Sequence, residues 1–391
     1  MGGIDTDSPT LRPGRRAPLL ATTWTVAALF LWVGLVDATH SGKYAIDSEL
    51  VRRAVGDFVG HRPVDLPYVP SAYLVLAPMR LLSRAVSEPA FLLLTAAALA
   101  FSVCATGRLL GRGWFGLPSA VGVVVVAWSL PARDALVVDN LGLLVQAALV
   151  GVLLLGTGGR WRWATVVFAL ACCVKPHIAP AGLVLLLDRR WREAAAVVGT
   201  FVGLNLLALL LLVDRGDYLH HALGFVAAGK GASHYNLALL SSMRGLGLPA
   251  EVVLGLRVLV VAAAAYAVLL LAPRPVGPRR LVLLTTLPVV ALMLAGGLAE
   301  DHYSLVTVPL VAMALLEGSR AAGVVAAAGV WLLGYAGPTP LPGVPKDRMG
   351  LGLLVVFAAG LLLVRQERRP VGTTTGPAAA PEADHAMPAV V

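Results

Sequence analysis

The chain has 391 residues, 58% of them hydrophobic and only 14% charged, with a mean hydropathy of +0.80. Soluble domains run nearer about half apolar and about a quarter charged, so these numbers exclude an ordinary soluble enzyme and predict an all-α polytopic membrane protein. The 31 Lys and Arg against 22 Asp and Glu give a net charge of +9, but the basic residues are scattered among short loops, which fits membrane-side anchoring and argues against nucleic-acid binding.

Arg12, Arg15 and Arg16 precede the first apolar run, Ala17 to Val36. That run is longer than a signal-peptide core and no A-x-A site follows it, so it reads as an uncleaved first span. About twelve spans are predicted, over 18–37, 88–107, 117–131, 139–156, 161–174, 177–188, 193–213, 250–272, 280–297, 303–316, 321–336 and 350–365. They divide the chain into a cytoplasmic tail, 1–17, a transmembrane domain, 18–365, and a Pro/Ala/Thr-rich disordered tail, 366–391. Cys104, Cys172 and Cys173 all fall in apolar runs without CxxC or Cys/His spacing, so no disulfide or zinc site is expected.

Arginines at alternate junctions, among them Arg108, Arg160, Arg189, Arg274, Arg320 and Arg365, place both termini in the cytoplasm of a multi-pass plasma-membrane protein. The opposite, outer side carries long loops over 38–87, 214–249 and 337–349 and short turns near Asp134–Asn140, Lys175–His177 and Glu300–His302. Acids, histidines and tyrosines gather there, so function is expected on the outer face.

In the first outer loop, Ile46, Leu50, Val51, Ala54, Val55, Phe58 and Val59 follow helical spacing, with Glu49, Arg52, Arg53 and Asp57 on the other side. This is the pattern of an interfacial helix. Ser71–Leu82, after Pro67 and Pro70, reads as a second interfacial or re-entrant helix. Asp47 stands at the start of the first of these, where it either caps the helix or acts as a general base at the lipid–water boundary. Asp37, at the end of the first span, is the competing acid. Arg52 and Arg53 suit either a phosphate or lipid headgroups.

Lys175 and His177 flank Pro176 in a break between apolar halves; the lysine either snorkels or binds phosphate. A Gly/Ser-rich outer segment, 229–247, holds His234 and Asn236. Glu300, Asp301 and His302 open another apolar run, as caps or as part of a polar pocket. An acid, a lysine, arginines and histidine-bearing loops on one leaflet suit chemistry on an anionic lipid phosphate, with cations stabilising the leaving group.

The order of these features resembles glycosyltransferase family 87, within the GT-C membrane glycosyltransferases. The resemblance rests on Asp47-Ser48-Glu49-Leu50 with Gly60-His61-Arg62-Pro63, on Tyr68-Val69-Pro70 through Ala77-Pro78-Met79, and on Val174-Lys175-Pro176 with Arg189-Arg190-Trp191-Arg192. Asn236-Leu237-Ala238-Leu239 and Glu300-Asp301-His302-Tyr303 extend it. Two places depart from the family pattern: Asp139-Asn140-Leu141-Gly142 fits the family's fourth-span motif poorly, and Asn236 lacks polar followers.

The family includes actinobacterial polyprenyl-phosphate-mannose-dependent α-mannosyltransferases and a related arabinofuranosyltransferase. The resemblance therefore implies a GT-C-type bundle and an inverting transfer of a hexose, mannose first, from a polyprenyl-phosphate donor to a glycolipid or cell-envelope glycan. It implies Asp47 as the base, and Lys175, His177, Arg52, Arg53, Asn236 and His302 as donor contacts. Asp37, Glu300, Asp301, His234 and Tyr68 stand behind these. No cofactor or metal is called for, membrane lipids are the surroundings, and nucleic acid is not a partner. The rival readings are an arabinofuranosyltransferase, a lipid-linked-sugar transporter or flippase, and a structural partner in an envelope complex.

Overall fold

The computed structural model describes residues 13–41, 45–65, 68–228, 238–239, 242–243, 247–296, 299–334 and 347–367. His234 and Asn236 lie outside the described residues, as do most of the two tails. Among the described residues the fold is helical throughout, without strands.

The first span is α1, Pro13–His40, followed by α2, Ile46–Val59, and the short α3, Pro70–Leu76, which runs into a 3-10 turn at Ala77–Leu81. Next come α4, Arg84–Leu109, α5, Leu117–Trp128, α6, Leu130–Val138, and α7, Gly142–Thr157. A hairpin follows, made of α8, Trp161–Val174, a 3-10 stretch at Pro176–Gly182, and α9, Leu183–Leu187. After it lie α10, Trp191–Leu211, α11, Arg215–Ala228, α12, Ala250–Leu271, and α13, Pro278–Ala295. A 3-10 turn, Asp301–Thr307, leads into α14, Val308–Glu317, then α15, Arg320–Leu332, and α16, Asp347–Glu367.

Each of the twelve apolar segments forms helix, and among the described residues six helices have the length and apolarity of a membrane crossing. These are in α1, α4, α10, α12, α13 and α16. The segment 117–131 ends early: α5 and α6 form a pair bent by 66°, which counts at most as a seventh crossing. The bend has a local cause. Ser129 takes extended backbone and its Oγ accepts from Ala132 N at 3.3 Å, starting a new helix with Pro131 in its first turn. The predicted turn at Asp134–Asn140 is therefore largely helical, and only its last two residues turn. The remaining apolar segments form helices of 10–17 residues, too short to cross upright.

Burial sorts the long helices. The apolar windows of α13 and α4 are 78% and 67% buried, against 11% for α1 and α10. So α13 and α4 form the centre, and α1 and α10 present apolar side chains outward. At the C-terminal side α15 and α16 approach at glycines: a Cβ on Gly329 would meet Val356 N at 2.9 Å and Gly352 O at 3.0 Å. Small residues at such crossings permit backbone-to-backbone packing.

The second loop helix does not lie free at the surface. Ser71 Oγ donates to Cys173 O at 2.8 Å, and Ser71 N donates to Asn205 Oδ1 at 3.1 Å, tucking α3 against α8 and α10. Tyr73 is buried there.

The hairpin has two distinct ends. Its tip is Lys175-Pro176-His177, and at its open end the Arg190 guanidinium stacks over the Trp161 ring at 4.2 Å. Beside that open end, Asp188 pairs with Arg280 of α13 at 2.7 Å, both buried. Arg280 Nε also donates to Leu271 O at 2.9 Å, at the end of α12. A buried ion pair offsets its desolvation only when extra hydrogen bonds complete it, and the Leu271 carbonyl supplies one.

Candidate active site

Asp47 does not cap α2. The cap position is Ala45, which adopts a left-handed conformation (φ 56°) with no side-chain hydrogen bond. Asp47 is the second helical residue, half-buried, and its Oδ2 accepts a short hydrogen bond from Asn140 Nδ2. Asn140 is 2% exposed. Its Oδ1 accepts from Gly142 N at 2.7 Å and from Lys175 Nζ at 2.8 Å. Two donors on one amide oxygen fix the orientation of the side chain, so its NH2 must face the acid.

Lys175 does not snorkel. It is 4% exposed, and its ammonium sits 4.5 Å from the centroid of the Tyr303 ring and 3.4 Å from the Tyr303 hydroxyl. It lies in the break between two short helices, outside the membrane-length ones. Burial lowers its pKa to about 8, against the opposing pull of the Glu300 and Asp47 charges.

The remaining residues close around this line. His177 stacks on Tyr303 with centroids 4.4 Å apart and rings 2° from parallel. His302 is buried, meets Tyr303 edge-on at 4.7 Å, and has Nε2 3.2 Å from Glu300 Oε2. Glu300 thus faces a histidine and forms no side-chain cap. Tyr68 faces both Asp47 and Glu300, and burial pushes its hydroxyl well above the usual tyrosine range, so it remains a hydrogen-bond donor. The backbone of Asp301 opens the turn that carries His302 and Tyr303; its side chain lies outside the described part.

Other candidates sit apart from this cluster. Arg52 and Arg53 hold Glu49 at 2.8 Å and 2.9 Å, and the Arg52 hydrogen bond holds the Glu49 carboxyl down at about 2. Asp37 pairs with Arg133 of α6 at 2.5 Å. The structure brings Asp47, Tyr68, Lys175, His177, Glu300 and His302 together, joined by Asn140 and Tyr303. Asn140 was not among the predicted site residues. Its signals are its place beside an acid between two apolar runs and its position in the stretch Asp139-Asn140-Leu141-Gly142, which fits the family's fourth-span motif poorly.

Gly142 shows how tightly the cluster is packed. A Cβ there would lie 2.9 Å from both Asn140 Oδ1 and His302 Cδ2. Gly142→Ala is expected to cost about 1–3 kcal/mol of stability through overpacking and to lower activity. Thermal unfolding in detergent together with a transfer rate checks this; a variant equal to wild type in both would show the contact to be soft.

Chemically, the cluster gathers two acids, a buried cation and a neutral tyrosine donor around Asn140 and Tyr303. The family model described as glycosyltransferase family 87 matches residues 66–299. That span holds Tyr68, Asn140, Lys175 and His177, with Asp47 and Glu300–Tyr303 flanking it. Two curated relatives are each 26% identical over 329 residues, 79% of this chain and 76% of the relative. Both are alpha-(1->3)-arabinofuranosyltransferases of Mycobacterium tuberculosis, one from strain CDC 1551 / Oshkosh and one from strain ATCC 25618 / H37Rv. No solved structure matches the chain.

Proposed function

The chain belongs to glycosyltransferase family 87, and from that premise we propose that it transfers a sugar from a polyprenyl-phosphate donor to a lipid-linked or cell-envelope glycan. The observation that carries this reading is the line Asp47–Asn140–Lys175, in which one buried amide holds an acid and a cation on its two sides.

Asp47 takes the proton from an acceptor hydroxyl as that oxygen attacks the anomeric carbon. The bond from that carbon to the phosphate oxygen breaks, and the polyprenyl phosphate leaves with the electron pair. Lys175 offsets the charge that develops on it. A single displacement inverts the anomeric centre, and the proton passes from Asp47 to the released phosphate or to water. Tyr68, His177 and His302 orient the sugar and the acceptor.

Two further observations support a lipid donor. A mostly apolar groove of about 390 Å³ is lined by Phe168, Cys172, Pro180, Leu183, Val197 and Phe201. The groove takes lining from both sides of the hairpin tip, Cys172 before Lys175 and Pro180 after it, and an isoprenoid chain is assigned to it in this reading. The site also lies at the hairpin tip, away from the Arg190 end. With the basic end in the cytoplasm, the site opens on the outer face of the plasma membrane. In this reading the short helices complete a bundle of about twelve crossings, and both termini are cytoplasmic.

The donor sugar is a hexose, mannose first, in the reading from the family resemblance. The matched arabinofuranosyltransferases favour a pentofuranose instead. The experiment that tests both incubates membranes containing the chain with radiolabelled polyprenyl-phosphate mannose or polyprenyl-phosphate arabinose. One donor is expected to yield a labelled glycolipid that control membranes lack. Use of neither donor, with label moved across vesicles unchanged, would replace the transferase with a flippase.

A further inference from the structure

We infer that Asp139 is a positioning residue, whose carboxylate sets the geometry of the Asp47–Asn140–Lys175 line. The inference rests on the reading of that line as the reacting centre.

The end of α6 has the hydrogen bonds of a Schellman motif. Asn140 N donates to Ala135 O at 2.9 Å and Asp139 N to Leu136 O at 3.3 Å, with Asp139 left-handed between them (φ 56°, ψ 55°). Glycine is the usual residue there, because an L side chain in this conformation costs about 1–2 kcal/mol. This chain uses glycine at the corresponding position of the motifs ending α4 and α7, Gly111 and Gly159, and exposed side chains at those ending α2 and α9, His61 and Arg189. At 139 it places an acid instead, and buries it completely.

The side chain accounts for that choice. Asp139 Oδ1 accepts from Thr95 Oγ1 of α4 at 3.0 Å, and Ser48 of α2 faces the same carboxyl. Two residues earlier, Val137 O accepts from Ala45 N at 3.1 Å. The end of α6 thus meets the start of α2 at Ala45, Ser48 and Asp47, through Val137, Asp139 and Asn140. Asp139 ties this junction to α4, one of the two most buried long helices. Without the carboxylate the turn still closes and Val137 O still holds it to Ala45 of α2, but its side-chain tie to Thr95 of α4 is lost. The 2.8 Å contact between Lys175 and Asn140 and the acid's contact with the same amide then lose their common reference.

The test is Asp139→Gly, which relieves the left-handed backbone and keeps the fold while deleting the anchor. In the membrane transfer assay, kcat is expected to fall about 10–100-fold, with donor KM within about threefold and thermal stability in detergent no lower than wild type. Asp139→Asn, which tolerates the same backbone and still accepts from Thr95, is expected to restore at least a third of the rate. A cycle with Asn140→Ala adds a second reading. If Asp139 acts through Asn140, losing both costs little more than losing Asn140 alone.

Wild-type kcat in Asp139→Gly, or full additivity with Asn140→Ala, overturns the inference. If Asp139→Gly fails to fold, the Asp139→Asn rate and its cycle with Asn140→Ala decide in the same way. Asp47→Asn, run alongside, separates the two levels. If Asp47→Asn is active, the reading of the centre fails. If Asp47→Asn is inactive and Asp139→Gly is unimpaired, only the positioning role fails.

Discussion

Asp47→Asn is expected to lower sugar transfer by about 10³-fold or more, equivalent to about 4 kcal/mol of lost transition-state stabilisation. The substitution is nearly isosteric. The new amide oxygen still accepts from Asn140 Nδ2, so the bridge to Lys175 survives and the variant is expected to keep its elution profile in detergent. What disappears is the carboxylate that accepts from Asn140 Nδ2 and can take a proton. Labelled glycolipid formation in membranes, with equal amounts of protein, reads the effect directly. Retained turnover would move the base to Glu300, the other acid of the pocket, because Asp37 is committed to Arg133.

Lys175→Met is expected to reduce kcat/KM for the donor by about 10²–10³-fold. A buried cation is removed, and the nearby carboxylates of Asp47 and Glu300 lose the charge that offsets them. Lysine also gives the reaction a pH dependence that arginine would not. In the free enzyme burial brings Lys175 to about 8, so it is charged below that value and neutral above it. Donor kcat/KM, which reports the free enzyme, is expected to fall as pH rises through about 8. In Lys175→Arg, whatever its absolute rate, that basic limb is expected to move beyond the accessible range, since guanidinium stays protonated. An unmoved limb would mean that another group governs it, and would remove Lys175 from the phosphate.

The parts of the site legible in the sequence are those that are costly in lipid. Asp47, Lys175, Glu300 and His302 stand out because an ionisable side chain at the edge of an apolar run needs a reason to be there. Asn140 carries no charge and follows a segment that reads as a surface turn, so its role depends on a bend of 66° that no periodicity announces. Asp139 is an acid, but it fell in the same stretch read as a turn. Its value comes from a left-handed backbone and from Thr95, a residue far away in sequence. Arg52 and Arg53 read as suited to a phosphate or to lipid headgroups, and one helical turn also lets them close on Glu49. The helices themselves followed the apolar runs closely. Six of the described helices, or seven with the bent pair counted as one, have the length of a crossing; the others are shorter because several of those runs stop at Pro, Gly or a polar break after three or four turns.

The buried pair of Asp188 and Arg280 bears on how the protein is made. When a ribosome has delivered the hairpin, Asp188 stands ready at its open end, but Arg280 is still unsynthesised. Until α13 arrives, this carboxylate has to remain hydrated, so the hairpin cannot seat fully against the centre of the bundle. The N-terminal half is therefore expected to close fully only when the later helices enter. A chain cut short before Arg280 would leave a lone acid at a position meant to be dry, and its exposed apolar faces would invite the proteases that clear unfinished membrane proteins.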